Sequence, residues 1–126
     1  MSSTTRAACI TVAIVFGLGT AMAQQQLIQM VTVVGCLQQV SGDLPWMLEK
    51  ATEGTPSETA FTSQDEVDES QDRALGTLEY RLLGVGEFGI EPHVGHKVQA
   101  KGLEVTLDGE RRLNITSFQH LAPACE

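Results

Sequence analysis

The sequence predicts an all-β fold, a small barrel of short strands. Three observations carry that expectation. Two long alternating runs flank an Asp108-Gly109 pair, a strong hairpin signal because both residues tolerate the left-handed backbone of a tight turn. Leu27–Leu37 (LIQMVTVVGCL) is rich in β-formers and apolar on both faces, as in a strand covered twice. A further alternating run, Thr77–Val85, is set off by glycines.

The hairpin is the most legible part. In Lys97–Leu107, Val98 and Ala100 alternate with Lys97, Gln99 and Lys101, the period of a strand with one dry face. Beyond Gly102 the apolar residues are Leu103, Val105 and Leu107, so the apparent inward set moves from even to odd numbers. A β-bulge at Gly102, of the kind that bends strands at barrel corners, accounts for this shift. The returning strand, Arg111–Leu121, sets Leu113 and Ile115 against Asn114 and Thr116, and Phe118 breaks phase and marks a second bend.

The N-terminus belongs outside the fold. Arg6, the apolar run Ala7–Leu18 and the small-x-small triplet Ala21-Met22-Ala23 read as a Sec-type signal peptide over residues 1–23. Its apolar run is too short for a confident membrane span, so no stable span is expected after cleavage. One domain, residues 24–126, then remains. The net charge of −8 grows more negative when Arg6 leaves with the leader, which disfavours nucleic acid and anionic lipid as partners. Cys9 departs as well, leaving Cys36 and Cys125 expected to pair in an oxidising compartment outside the cytoplasm. Such a bridge closes a loop of about 90 residues, worth a few kcal/mol in the chain-entropy treatment.

Between these landmarks the chain changes character twice. Ser41-Gly42-Asp43 is a turn signal, and Leu44–Ala51 reads as a second strand, with a short helix starting at Pro45 as the alternative. Residues 52–73 form an acidic, mobile insertion with seven carboxylates and no base before Arg73. Ser63 and Glu66 there have the spacing of a capping box for one helical turn. After the next strand, Gly84, Gly86 and Gly89 loosen the chain, and Phe88-Gly89-Ile90 reads as a plug or short turn. Pro92 is expected to hold Glu91 extended before the hairpin.

No G-x-S-x-G, H-E-x-x-H or phosphate-binding glycine loop occurs, and no nucleophile–base pair is visible. The sequon Asn114-Ile115-Thr116 falls inside an expected strand and reads as coincidental. Trp46, Tyr80 and Phe88 are the residues that could stack on a ligand, although core packing is the default role for Trp46. His93 and His96, three apart after Glu91, could ligate zinc or copper if His120 joined them. Two loop histidines are short of a full ligand set, so the first expectation is no cofactor, with zinc or copper as the alternative.

The segments Val33–Leu37 (VVGCL), Tyr80–Leu83 (YRLL), His93–Gly102 (HVGHKVQAKG) and Leu113–Cys125 (LNITSFQHLAPAC) resemble a family of small secreted bacterial proteins of largely unassigned function. That family is similar to the periplasmic OB-fold stress proteins. The resemblance spans roughly residues 30–125, with 52–73 as an apparent insertion. It implies a five-stranded, OB-like, partly open Greek-key barrel with an acidic loop insertion. It also implies a turn at Gly95, an inward side chain at Val98 and a bend at Gly102. The functional expectation is a non-enzymatic binding or envelope-stress module for an unknown soluble or envelope partner. A metal-binding protein centred on His93 and His96 is the alternative, and an enzyme of unidentified class ranks third.

Overall fold

A computed structural model describes residues 28–125 continuously, with Ala13, Ile14 and Gly17 ahead of them. Apart from those three residues, the expected leader lies outside the described residues. The chain forms β1 (Gln29–Gln39), β2 (Trp46–Ala51), a two-residue β3 (Thr55–Pro56), α1 (Gln64–Gln71), β4 (Leu78–Leu83), β5 (Lys97–Leu107) and β6 (Glu110–Ala122). Single 3₁₀ turns at Val85–Glu87 and Glu91–His93 lie between β4 and β5.

Five strands close into a barrel in the order β1-β2-β4-β6-β5, with β5 returning to β1, while β3 adds to the outside of β1. All neighbours are antiparallel except β4 and β6, whose parallel contact spans only Leu82 and its two flanking residues. This is the expected OB-like Greek-key arrangement, but its ring is closed rather than partly open, because β1 pairs with both β2 and β5. Leu44–Ala51 resolves as a strand from Trp46 onward, and Asp108 (φ 52°) and Gly109 (φ 78°) make the expected left-handed hairpin turn. Among the described residues, no helix is long and apolar enough to cross a membrane.

The interior is apolar: Val31, Val33, Leu37, Leu48, Leu82, Val98, Ala100 and Leu113 are each at most 2% exposed. Burial of this kind, at about 25 cal/mol per Å² of apolar surface, is the main favourable term in folding.

The register of β5 against β6 breaks beside Gly102, but β5 itself carries no extra residue, so the expected bulge in that strand is absent. β5 pairs with β1 without interruption from Cys36↔Lys97 to Gln29↔Glu104. Its even residues therefore keep facing inward, and Glu104 accepts a hydrogen bond from the buried Tyr80 hydroxyl at 3.1 Å. Leu103, Val105 and Leu107 lie on the outer face, with Leu107 47% exposed. The extra residue is on the partner strand: Lys101 pairs with Ser117 but Gly102 with Ile115, so Thr116 is skipped. Gly102 serves close approach instead, since a Cβ there would collide with the Asn114 carbonyl oxygen.

Residues 52–73 fold back over the outer face of β1 and β5. Val34 and Thr52 exchange hydrogen bonds, the Val34 amide donating to Thr52 Oγ1 and the Thr52 amide to the Val34 carbonyl. The Thr116 hydroxyl donates to the Ala60 carbonyl at 2.8 Å. Ser63 and Glu66 form both halves of the expected capping box. The odd residues of β5, polar and therefore expected in water, are covered by this layer. Lys101 is fully buried and reaches Glu66 (2.7 Å) and the Phe61 carbonyl (2.8 Å). Lys97 donates to the Gln71 and Arg73 carbonyls at the helix C-terminal end, where a cation meets the negative end of the dipole.

Candidate metal centre

The three histidines of the described chain meet at one mouth of the barrel. Two arrive on the plug that follows β4. Ile90 is 2% exposed and anchors that plug in the core. From it the His93 amide donates to the Ile90 carbonyl and the His96 amide to the His93 carbonyl, both at 2.9 Å. Pro92 sits in the first turn of the 3₁₀ segment, where its missing N–H costs nothing, so Glu91 is helical rather than extended as expected. Gly95 takes φ 83°, a left-handed bend that side chains resist, and its amide donates to the Leu37 carbonyl at 2.7 Å. The Leu37 amide in turn donates to the His96 carbonyl at 3.1 Å. The loop is thus pinned to β1 on both sides of His96.

His120 comes from β6, and the Thr116 bulge brings it there. Directly paired residues of antiparallel strands share a face. Before the bulge, Leu113 and Ile115 face inward opposite Glu104 and Gly102; after it, Phe118 and His120 do so opposite Ala100 and Val98. Unbroken alternation would have put His120 outside. Instead its ring centroid lies 5.0 Å from that of His93 and 4.9 Å from that of His96, and His93 to His96 is 5.6 Å. Phe118 lies beneath, 5.9 Å from the His93 ring.

One ligand nitrogen from each histidine can be chosen so that all three lie within 4.8 Å of one another. His93 and His96 are half-buried and His120 is exposed, which leaves the cluster open on one side. The Nδ1 atoms of His93 and His96 are buried and lack hydrogen-bond partners among the described residues. A buried ring nitrogen without a partner costs about 1–3 kcal/mol, a cost that coordination at that nitrogen would remove. Burial, reinforced by His120 and His96, lowers the pKa of His93 and favours the neutral ring that a metal requires. Glu91, next to the pair in sequence, is exposed and takes no part in the cluster.

The expectation of no cofactor is therefore corrected, because tertiary structure supplies the third ligand that sequence spacing could not promise. The other expected site residues are placed as follows. Cys36 and Cys125 form a disulfide with Cα atoms 5.9 Å apart. Trp46 and Tyr80 are buried in the core and Phe88 packs against it, so these rings serve the barrel interior rather than an exposed stacking face. The Tyr80 pKa is pushed up to about 12 by burial and by the Glu104 carboxylate. The features missed in sequence are the buried Lys97 and Lys101 and the bulge at Thr116; the phase break at Phe118 was the visible trace of that bulge. No protein-family model, curated protein or solved structure matches the chain.

Proposed function

We propose that this protein is a metal-binding barrel of the bacterial periplasm or exterior, holding zinc or copper at His93, His96 and His120. One observation carries the reading: three imidazoles from two separate elements converge at a barrel mouth, and two present buried, unpartnered nitrogens. Neutral imidazole suits both metals. Three protein ligands leave a fourth position for water or an exogenous ligand, as at open zinc sites. Metal–nitrogen bonds of about 2.0–2.1 Å put the nitrogens of a tetrahedral ion roughly 3.3 Å apart, so the cluster draws inward when an ion enters. The exposed His120 has the freedom to do this. The extracytoplasmic assignment is supported by the leader-like residues 1–23 and by the Cys36–Cys125 pairing.

The test is metal stoichiometry. Mature protein loaded with zinc or copper and dialysed is expected to retain one ion per chain, and the H93A/H96A variant to retain none. Absence of binding at micromolar metal overturns the proposal.

A further inference from the structure

A second cleft lies on the outer face of β1 and β5, walled by β3 and α1, away from the histidine mouth. Its volume is about 480 Å³, within the usual range for small-molecule sites. Thr32, Thr55, Ser57, Ser70, Arg73 and Gln99 contribute to its lining. Gln99 is 1% exposed; its Nε2 donates to Ser70 Oγ at 2.7 Å, and its Oε1 is buried with no partner among the described residues. Such an acceptor requires a donor.

The charges around the cleft select among donors. Glu66 is neutralised by Lys101. Among the described residues no ion pair engages Arg73, Glu58 or Glu69, all of which line the cleft. The Arg73 guanidinium donates only to Thr55 Oγ1, at 2.8 Å, leaving most of its fork for a carboxylate. Two free carboxylates beside one guanidinium disfavour a purely anionic ligand. The lining has no aromatic ring on which a sugar would stack. What fits is a group with both signs.

We infer that this cleft is a binding site for a small zwitterion, an amino acid or a dipeptide. Its carboxylate would pair with Arg73, and its ammonium would donate to Gln99 Oε1 with Glu69 and Glu58 nearby. Gln99 makes the recognition specific, because a buried carbonyl left without a donor penalises a ligand that lacks one.

The experiment is an amide-resolved NMR titration of the full mature protein with L-alanyl-L-alanine. Parallel titrations use the N-acetylated dipeptide and the dipeptide amide. The free dipeptide is expected to saturate, moving the Gln99 side-chain amide and the backbone signals of Thr55, Ser57 and Ser70. Blocking either end is expected to weaken binding by about tenfold or more. Arg73→Gln is expected to weaken the free dipeptide by a similar factor and to leave the carboxyl-blocked form unaffected, with circular dichroism and metal retention unchanged. No saturation at millimolar dipeptide, equal binding of the blocked forms, or shifts confined to other surfaces overturns the inference. Because metal retention is read separately, its failure and the failure of the metal site are distinguishable.

Discussion

His120 reaches its partners because Thr116, four residues earlier, falls out of register and turns the end of β6 inward. The consequence is testable at single positions. His120→Ala is expected to lower zinc or copper affinity by at least about 100-fold, beyond the 10–100-fold typical of outer-sphere partners, with secondary structure intact. Competition against a chromogenic chelator measures this. Deleting Thr116 should abolish binding as well, although all three histidines remain. Tyr80 carries a separate pH signature. Its raised pKa means the neutral phenol favours the fold, so that contribution is complete below pH 10 and is lost as pH rises toward about 12. Urea midpoints should therefore fall between pH 10 and 12, and Tyr80→Phe should flatten the fall.

The element whose role changes most between sequence and structure is α1 with its flanking segment. An acidic stretch that reads as a solvated loop is instead held over β5 by Lys101 near one end of the helix and Lys97 at the other. Removing the cap with Ser63→Ala is expected to cost about 1 kcal/mol, visible as faster amide exchange in α1. Glu66 has a pKa held below 4.5, first by the Lys101 hydrogen bond and then by the Ser63 amide. Its contribution is thus present above pH 4.5 and lost as pH falls through the lowered value, so the protection of α1 amides relative to their intrinsic exchange rates should fall in acid, and Glu66→Gln should remove that pH dependence. On the hairpin, Gly102→Ala is expected to destabilise by about 1–3 kcal/mol in denaturant unfolding, because the new methyl meets the β6 backbone and neither strand can retreat.

At the scale of the whole molecule, the disulfide joins the ends of the barrel. It links β1, which anchors the His96 loop through Leu37, to the chain just past β6, which carries His120. With the cysteines 89 positions apart in sequence, the Cys36→Ser/Cys125→Ser variant is expected to lose about 2–5 kcal/mol, measured by denaturant unfolding of oxidised and variant protein.

Alternation and turn chemistry are local properties, so β5, the Asp108-Gly109 turn, β6 and the Ser63 cap were legible in the residues alone. So was the cysteine pairing, once Cys9 was assigned to the leader. The burial of Lys97, Gln99 and Lys101 was not legible. Polar residues at alternate positions signal water unless something covers them, and the cover comes from about 30 residues away. Gly102 looked like a bulge because apolar residues changed parity there, yet the register belongs to two strands and the extra residue was on the other one. The same limit applies to the site. Sequence determined which residues could bind a metal, and only the tertiary structure decided that they do converge, because β-strand facing depends on pairing and pairing is not written in either strand alone.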